Sequence, residues 1–117
     1  MAIRINPSEI SGTIAGTALT DALGPYRFRG GPSCQGVRIS ASSTNATDVG
    51  KIYFTEPGVA LVTNDAEAPI VSNVPTTLTV PFSIVLDTNQ MGGAVDIYLA
   101  APTKAGTFTG RIQKVVQ

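Results

Sequence analysis

Thr77-Leu78-Thr79-Val80-Pro81-Phe82-Ser83-Ile84-Val85-Leu86 is the stretch on which the fold class turns. Leu78, Val80, Phe82, Ile84 and Leu86 share one parity; Thr77, Thr79, Pro81, Ser83 and Val85 share the other. Successive side chains of a strand point to opposite faces, so the pattern predicts a strand with one buried face. No helical period fits these residues as well, and the threonines suit a strand. Pro81 has no N–H to give a ladder. The strand is therefore expected either to lie at a sheet edge there, or to bend and pass from one sheet to the next. The core is expected to be laid against it.

Downstream, residues 87–93 read as a loop and 94–100 as a returning strand with Val95, Ile97 and Leu99 inward. Residues 101–106 turn the chain into a last strand over 107–116, with Phe108 and Ile112 inward around Gly110, and Thr109, Arg111 and Gln113 outward. Upstream, 59–63 and the pair Ile70 and Val71 read as short strands around a polar loop at 64–69, before Asn73-Val74-Pro75. Further back, Val37, Ile39 and Ala41 alternate with Arg38, Ser40 and Ser42. A polar loop at 43–48 follows, and 49–55 returns with Ile52 and Phe54 inward, which reads as a β-hairpin with a long loop. Glu56-Pro57-Gly58 is a turn. Residues 25–29 alternate Tyr26 and Phe28 against Arg27 and Arg29 until Gly30-Gly31-Pro32 halts them.

The first residues are the hardest to read. Residues 2–5 form a short strand or arm, broken by Asn6-Pro7-Ser8. Over 10–23, Ile14, Ala18 and Leu19 allow a short helix ended by Gly24-Pro25, whereas Ile10, Gly12, Ile14 and Gly16 allow a loose strand; glycines and threonines weaken both. We read residues 1–23 as an N-terminal arm or irregular segment that reaches onto a neighbouring subunit, the alternative being that it supplies ordinary strands to its own sheet. Residues 24–117 then form one domain. Eight or nine short strands with frequent turns predict an all-β, single-domain antiparallel β-sandwich of jelly-roll or immunoglobulin-like topology. Its expected core is Val37, Ile39, Ile52, Phe54, Leu78, Val80, Phe82, Ile84, Val95, Ile97, Leu99, Phe108 and Ile112.

Composition bounds what such a domain can do. The 117 residues match one typical domain. Only 14% are charged, against about a quarter in ordinary soluble domains, so the exterior is built from Thr, Ser, Asn, Gln, Gly and Ala. Eight basic and eight acidic residues cancel, leaving no net field to hold nucleic acid or an acidic membrane. The signs are segregated along the chain, and a sandwich is expected to interleave them. The N-terminus has neither the apolar run of a signal peptide nor that of a membrane span, which implies synthesis in a cytoplasm. Asn45-Ala46-Thr47 matches a glycosylation acceptor but reads as a polar loop.

The residues offer little chemistry. The chain contains no histidine, which removes the commonest general base and metal ligand. Cys34, the one cysteine, can form no internal disulfide and no zinc site, and reads as an inert buried thiol. Asp87-Thr88-Asn89-Gln90-Met91-Gly92 imitates the start of a calcium loop, but Met91 stands where an oxygen ligand is wanted and Tyr98 where a bidentate Glu belongs. Asp65 and Glu67, near Glu56, read as a solvated loop. Gly12-Thr13-Ile14-Ala15-Gly16-Thr17 lacks the lysine of a phosphate cradle, and Tyr26-Arg27-Phe28-Arg29 is too brief a stacking platform for nucleic acid. No catalytic, cofactor-binding or metal residue is expected, no cofactor, and no enzyme.

Cys34-Gln35-Gly36-Val37-Arg38-Ile39-Ser40-Ala41, followed by the polar loop and Val49-Gly50-Lys51-Ile52-Tyr53-Phe54-Thr55, resembles small β-sandwich virion proteins of tailed bacteriophages, the head decoration or cement proteins. The resemblance covers about a fifth of the chain. It implies a non-enzymatic protein on the capsid exterior of the virion, made in the host cytoplasm and often trimeric. Its partners would be the major capsid protein and copies of itself, with no nucleic acid and no membrane. The family has no sharp functional motif from which a binding residue could be carried over. Other phage neck or tail components share the fold. The rival class is a ligand- or carbohydrate-binding module, for which Tyr53 and Tyr98, with Tyr26, are the candidate platform residues.

Overall fold

Pro81 is where the chain changes sheets. In the computed structural model, which describes residues 9–29, 34–58, 77–87 and 94–116, the expected strand over 77–86 is two strands. Strand β5 (Thr77–Thr79) ends one sheet, and β6 (Phe82–Asp87) begins again in the other. A residue that cannot donate to a ladder interrupts the strand, and the alternation continues across the break because both halves line the same core. The remaining strands are β1 (Glu9–Ile14), β2 (Leu23–Arg29), β3 (Cys34–Ser43), β4 (Val49–Thr55), β7 (Ala94–Ala100) and β8 (Phe108–Val116). A 3₁₀ turn at Leu19–Asp21 lies between β1 and β2.

Two antiparallel four-stranded sheets result, sheet A in the order β1-β8-β3-β6 and sheet B in the order β2-β7-β4-β5. The pairings nest: β1 with β8, β2 with β7, β3 with β6 and β4 with β5. That nesting is the strand order of a jelly roll, which decides between the two expected topologies. Between the sheets lie Ile14, Tyr26, Phe28, Val37, Ile39, Ala41, Ile52, Phe54, Val80, Leu86, Val95, Ile97, Leu99, Ala101, Phe108 and Ile112, all buried. Sheet A makes room for leucines of sheet B through glycines. A Cβ on Gly110 would stand 2.5 Å from Leu99 Cδ2, and one on Gly12, its partner in register, 3.8 Å from Leu23 Cδ1.

Three expectations are corrected. The stretch over 77–86 is not the centre of the core: β5 and β6 are edge strands, and Leu78, Phe82 and Ile84 are only half-buried. Central positions belong to β8 and β3 in sheet A and to β7 and β4 in sheet B. Second, β3 and β4 are not a hairpin. Each pairs within its own sheet, and the loop over 44–48 crosses the sandwich; a one-faced alternation is the same whether the next strand pairs beside it or opposite it. Third, of the segment read as an arm, residues 9–23 belong to the sandwich itself. Ile10, Gly12 and Ile14 face inward along β8, Ile14 is 2% exposed, and Leu23 already opens β2. The alternation at Ile10, Gly12 and Ile14 outweighs the glycines, because burying two isoleucines against a paired edge offsets their conformational cost. Residues 1–8 lie outside the described residues, as do the strands expected at 59–63 and 70–71.

Candidate functional site

Asp48 closes one end of the sandwich. It ends the crossing loop with a side chain 1% exposed. Its carboxylate accepts from Ser43 Oγ at 2.6 Å, from the Ala105 N–H at 2.9 Å and from the Gly106 N–H at 3.2 Å, while its main-chain carbonyl accepts from the Val80 N–H at 3.1 Å. Beside it Thr44 N–H donates to the Thr107 carbonyl at 3.1 Å, and Thr107 N–H to Thr44 Oγ1 at 2.8 Å. One residue therefore joins the β3–β4 loop and the β7–β8 loop through its carboxylate and the residue before Pro81 through its main-chain carbonyl. The Ser43 hydroxyl holds its pKa below the ordinary value against the opposing effect of burial, with the two N–H groups and the charge of Lys104 adding to it. A carboxylate whose acceptor positions are committed in this way is a staple rather than a general base. Asn45 Oδ1 accepts from Thr47 N–H at 3.0 Å and Thr47 Oγ1 at 2.7 Å, which makes the glycosylation-like tripeptide an Asx turn.

The outer face of sheet B has its own small core. Tyr53 and Tyr98 point away from the main core, as their parity predicts, yet they are 1% and 9% exposed. They pack with Ala100 under Leu19 and Ala22, so the 3₁₀ segment covers this face, and Lys51 Nζ lies 5.3 Å from the Tyr53 ring centre. Tyr26 faces the main core. None of the three tyrosines is a surface platform. On the same outer face Asp96 accepts from Arg27 Nε at 2.8 Å and Nη2 at 3.1 Å, and from the Gly58 N–H at 3.0 Å. The hydrogen bonds from Arg27 hold the Asp96 pKa down, and the Asp96 carboxylate in turn holds that of Arg27 up. Arg27 belongs to the net-basic stretch 1–51 and Asp96 to 52–103, which holds acids and no base, so this pair brings the two segregated signs together.

The outer face of sheet A is built differently. Ser11, Arg111 and Ser40 stand side by side on β1, β8 and β3; Thr13, Thr109 and Ser42 form the next row. These six side chains border a shallow depression of about 420 Å³ whose floor is the Gly12, Gly110 and Ala41 backbone. Arg111 Nε lies 3.7 Å from Glu9 Oε2, with the two side chains 53% and 42% exposed. Across β3, at the far margin, Val85 on β6 is 50% exposed, the one exposed large hydrophobic residue among those described.

Of the residues weighed for chemistry, Glu56 is exposed beside the turn, Asp87 ends β6 and Cys34 opens β3. Asp65, Glu67, the rest of the calcium-like loop and the Cys34 side chain lie outside the described residues. Among the described residues no group of three His, Cys, Asp or Glu side chains could hold a metal ion, and no helix is long and apolar enough to cross a membrane. Sequence reasoning passed over Asp48, Asp96 and the depression. Asp96 did carry a signal, an acid between Val95 and Ile97 on a strand buried on both faces. The depression carried none, because its six residues become neighbours only once β1, β8 and β3 are known to pair. No family model, curated protein or solved structure with which the chain was compared matches it.

Proposed function

We propose that this chain is a structural virion protein of the capsid decoration or cement class, binding copies of itself and the major capsid protein. The jelly-roll strand order carries the reading, since that fold recurs in viral capsid domains. The inference is one of fold-level analogy. The character of the exterior supports it: few charges, and two of the acids paired with arginines. Such a surface packs closely against a neighbour with little desolvation of ions. The jelly roll is also a lectin fold, but the tyrosines that would serve as a sugar platform are sunk beneath Leu19 and Ala22. Catalysis is no part of the proposal, because each of the two buried carboxylates already accepts three hydrogen bonds from structural donors. The deciding measurement is the sedimentation of the pure protein, alone and mixed with undecorated capsids. An oligomer that saturates the capsids at a fixed stoichiometry is expected; a protein that stays in the supernatant with every capsid preparation overturns the reading.

A further inference from the structure

We propose that the depression on the outer face of sheet A binds a carboxylated saccharide, with Arg111 holding the carboxylate and the bordering hydroxyls holding the ring. The two outer faces of the sandwich differ in a way that singles this one out. Sheet B is capped by the chain's own Leu19 and Ala22, whereas among the described residues nothing covers the rows Ser11-Arg111-Ser40 and Thr13-Thr109-Ser42, which surround a concave floor. Its volume is within the range of small-molecule sites. Five hydroxyls drawn from three strands can each donate and accept, which is the complement of a polyol's own hydroxyls.

Arg111 supplies the sign. A guanidinium presents a planar fork of donors that fits a carboxylate in two places at once. Its partner Glu9 lies at 3.7 Å, too far for a hydrogen bond, and both side chains are about half exposed. Glu9 stands outside the depression and competes with a ligand there for the same donors. Among the described residues no aromatic side chain borders the depression, so a neutral sugar, which relies on stacking, gains less here than one with a charged handle.

The test is a titration of the full chain with glucuronate, followed by protein NMR shifts or calorimetry, with glucose and acetate as controls. Saturable glucuronate binding is expected, at least tenfold tighter than either control. Arg111→Ala should weaken it at least tenfold with unchanged thermal unfolding, since that side chain is half exposed. Glu9→Gln should tighten it severalfold by removing the competitor, a change no merely structural role of Glu9 produces. Arg38→Ala, a cation outside the depression, should leave it within about twofold. Failure of glucuronate to saturate, equal binding of acetate or glucose, a response to Arg38→Ala as large as that to Arg111→Ala, or weaker binding by Glu9→Gln would each overturn the assignment.

Discussion

At the scale of single residues, two carboxylates set how the protein meets acid. Asp48 and Asp96 both have pKa values below those of the unfolded chain, through Ser43 and through Arg27 respectively. A depressed carboxylate binds fewer protons folded than unfolded, so its contribution is fully present above the unfolded pKa of about 3.9 and is lost as pH falls through the lower folded value. Urea midpoints measured downward from pH 6 should therefore decline through the carboxylate range. In Asp48→Asn the decline should be shallower and the midpoint at pH 7 lower, because an amide cannot receive the Ala105 and Gly106 N–H groups on both of its heavy atoms. An Asp48→Asn midpoint equal to wild type at neutral pH would mean that the staple contributes nothing. Apolar positions should rank by burial rather than by their place in the sequence pattern. Ile39 is fully buried on a central strand, and Ile39→Ala should cost about 2–5 kcal/mol; Ile84, half-buried on an edge, should cost clearly less, as chemical denaturation can check.

At the scale of elements, the alternation of apolar residues was legible, and the partnership of strands was not. Val37, Ile39, Ile52, Phe54, Val95, Ile97, Leu99, Phe108 and Ile112 all lie in the core their parity assigned them. Parity tells which face of a strand is dry. It does not tell which strand lies alongside, and for that reason β3 and β4 read as a hairpin although the loop between them spans the sandwich. Pro81 was informative because its constraint is on the backbone: it announced a break and offered two outcomes, and here both hold, since β5 and β6 are edges of different sheets. Tyr53 and Tyr98 show the opposite limit. Their outward parity was correct, but what covers them is the 3₁₀ turn at Leu19–Asp21, in a segment whose sequence supported two structures. Pairing also makes glycines unequal. A Cβ on Gly36 would strike the Leu86 carbonyl oxygen and lie 2.9 Å from Asp87 Cα, both of them backbone of β6, whereas one on Gly50 would meet the Phe82 ring at 2.7 Å. A half-buried ring can turn aside, and a paired strand cannot without giving up its register. Gly36→Ala is accordingly expected to cost about 2 kcal/mol or more and Gly50→Ala less, measured as the difference in denaturant midpoints at a common slope. The reverse order would show that β6 is free to shift along β3.

At the scale of the whole molecule, the first and last described strands are partners, so sheet A is completed only when residues 9–14 and 108–113 have met. Loops this long are closed late and at an entropic cost, which places folding in the millisecond-to-second range of non-local β domains. Of the segment read as an arm, residues 9–14 are held in register along β8 by Ile10 and Ile14, so this part belongs to the sandwich. Removing residues 1–14 should expose the Phe108 side of the core and abolish cooperative unfolding, and a truncated chain that melts like wild type would restore the arm. The folded surface of the described residues offers a place to look for assembly as well. Val85 is the place to look, because it is half exposed on an edge strand and lies at the margin of sheet A opposite β1, leaving the Arg111 depression open. Covered apolar surface is worth about 25 cal/mol per Å². A lysine there is tolerated by an edge strand and repelled by a dry contact, so Val85→Lys should change folding stability by less than about 0.5 kcal/mol while lowering capsid binding or self-association at least tenfold in sedimentation. A Val85→Lys protein that assembles as well as wild type would remove the β6 margin from the interface, and one that fails to fold would show Val85 to be part of the sandwich's own packing.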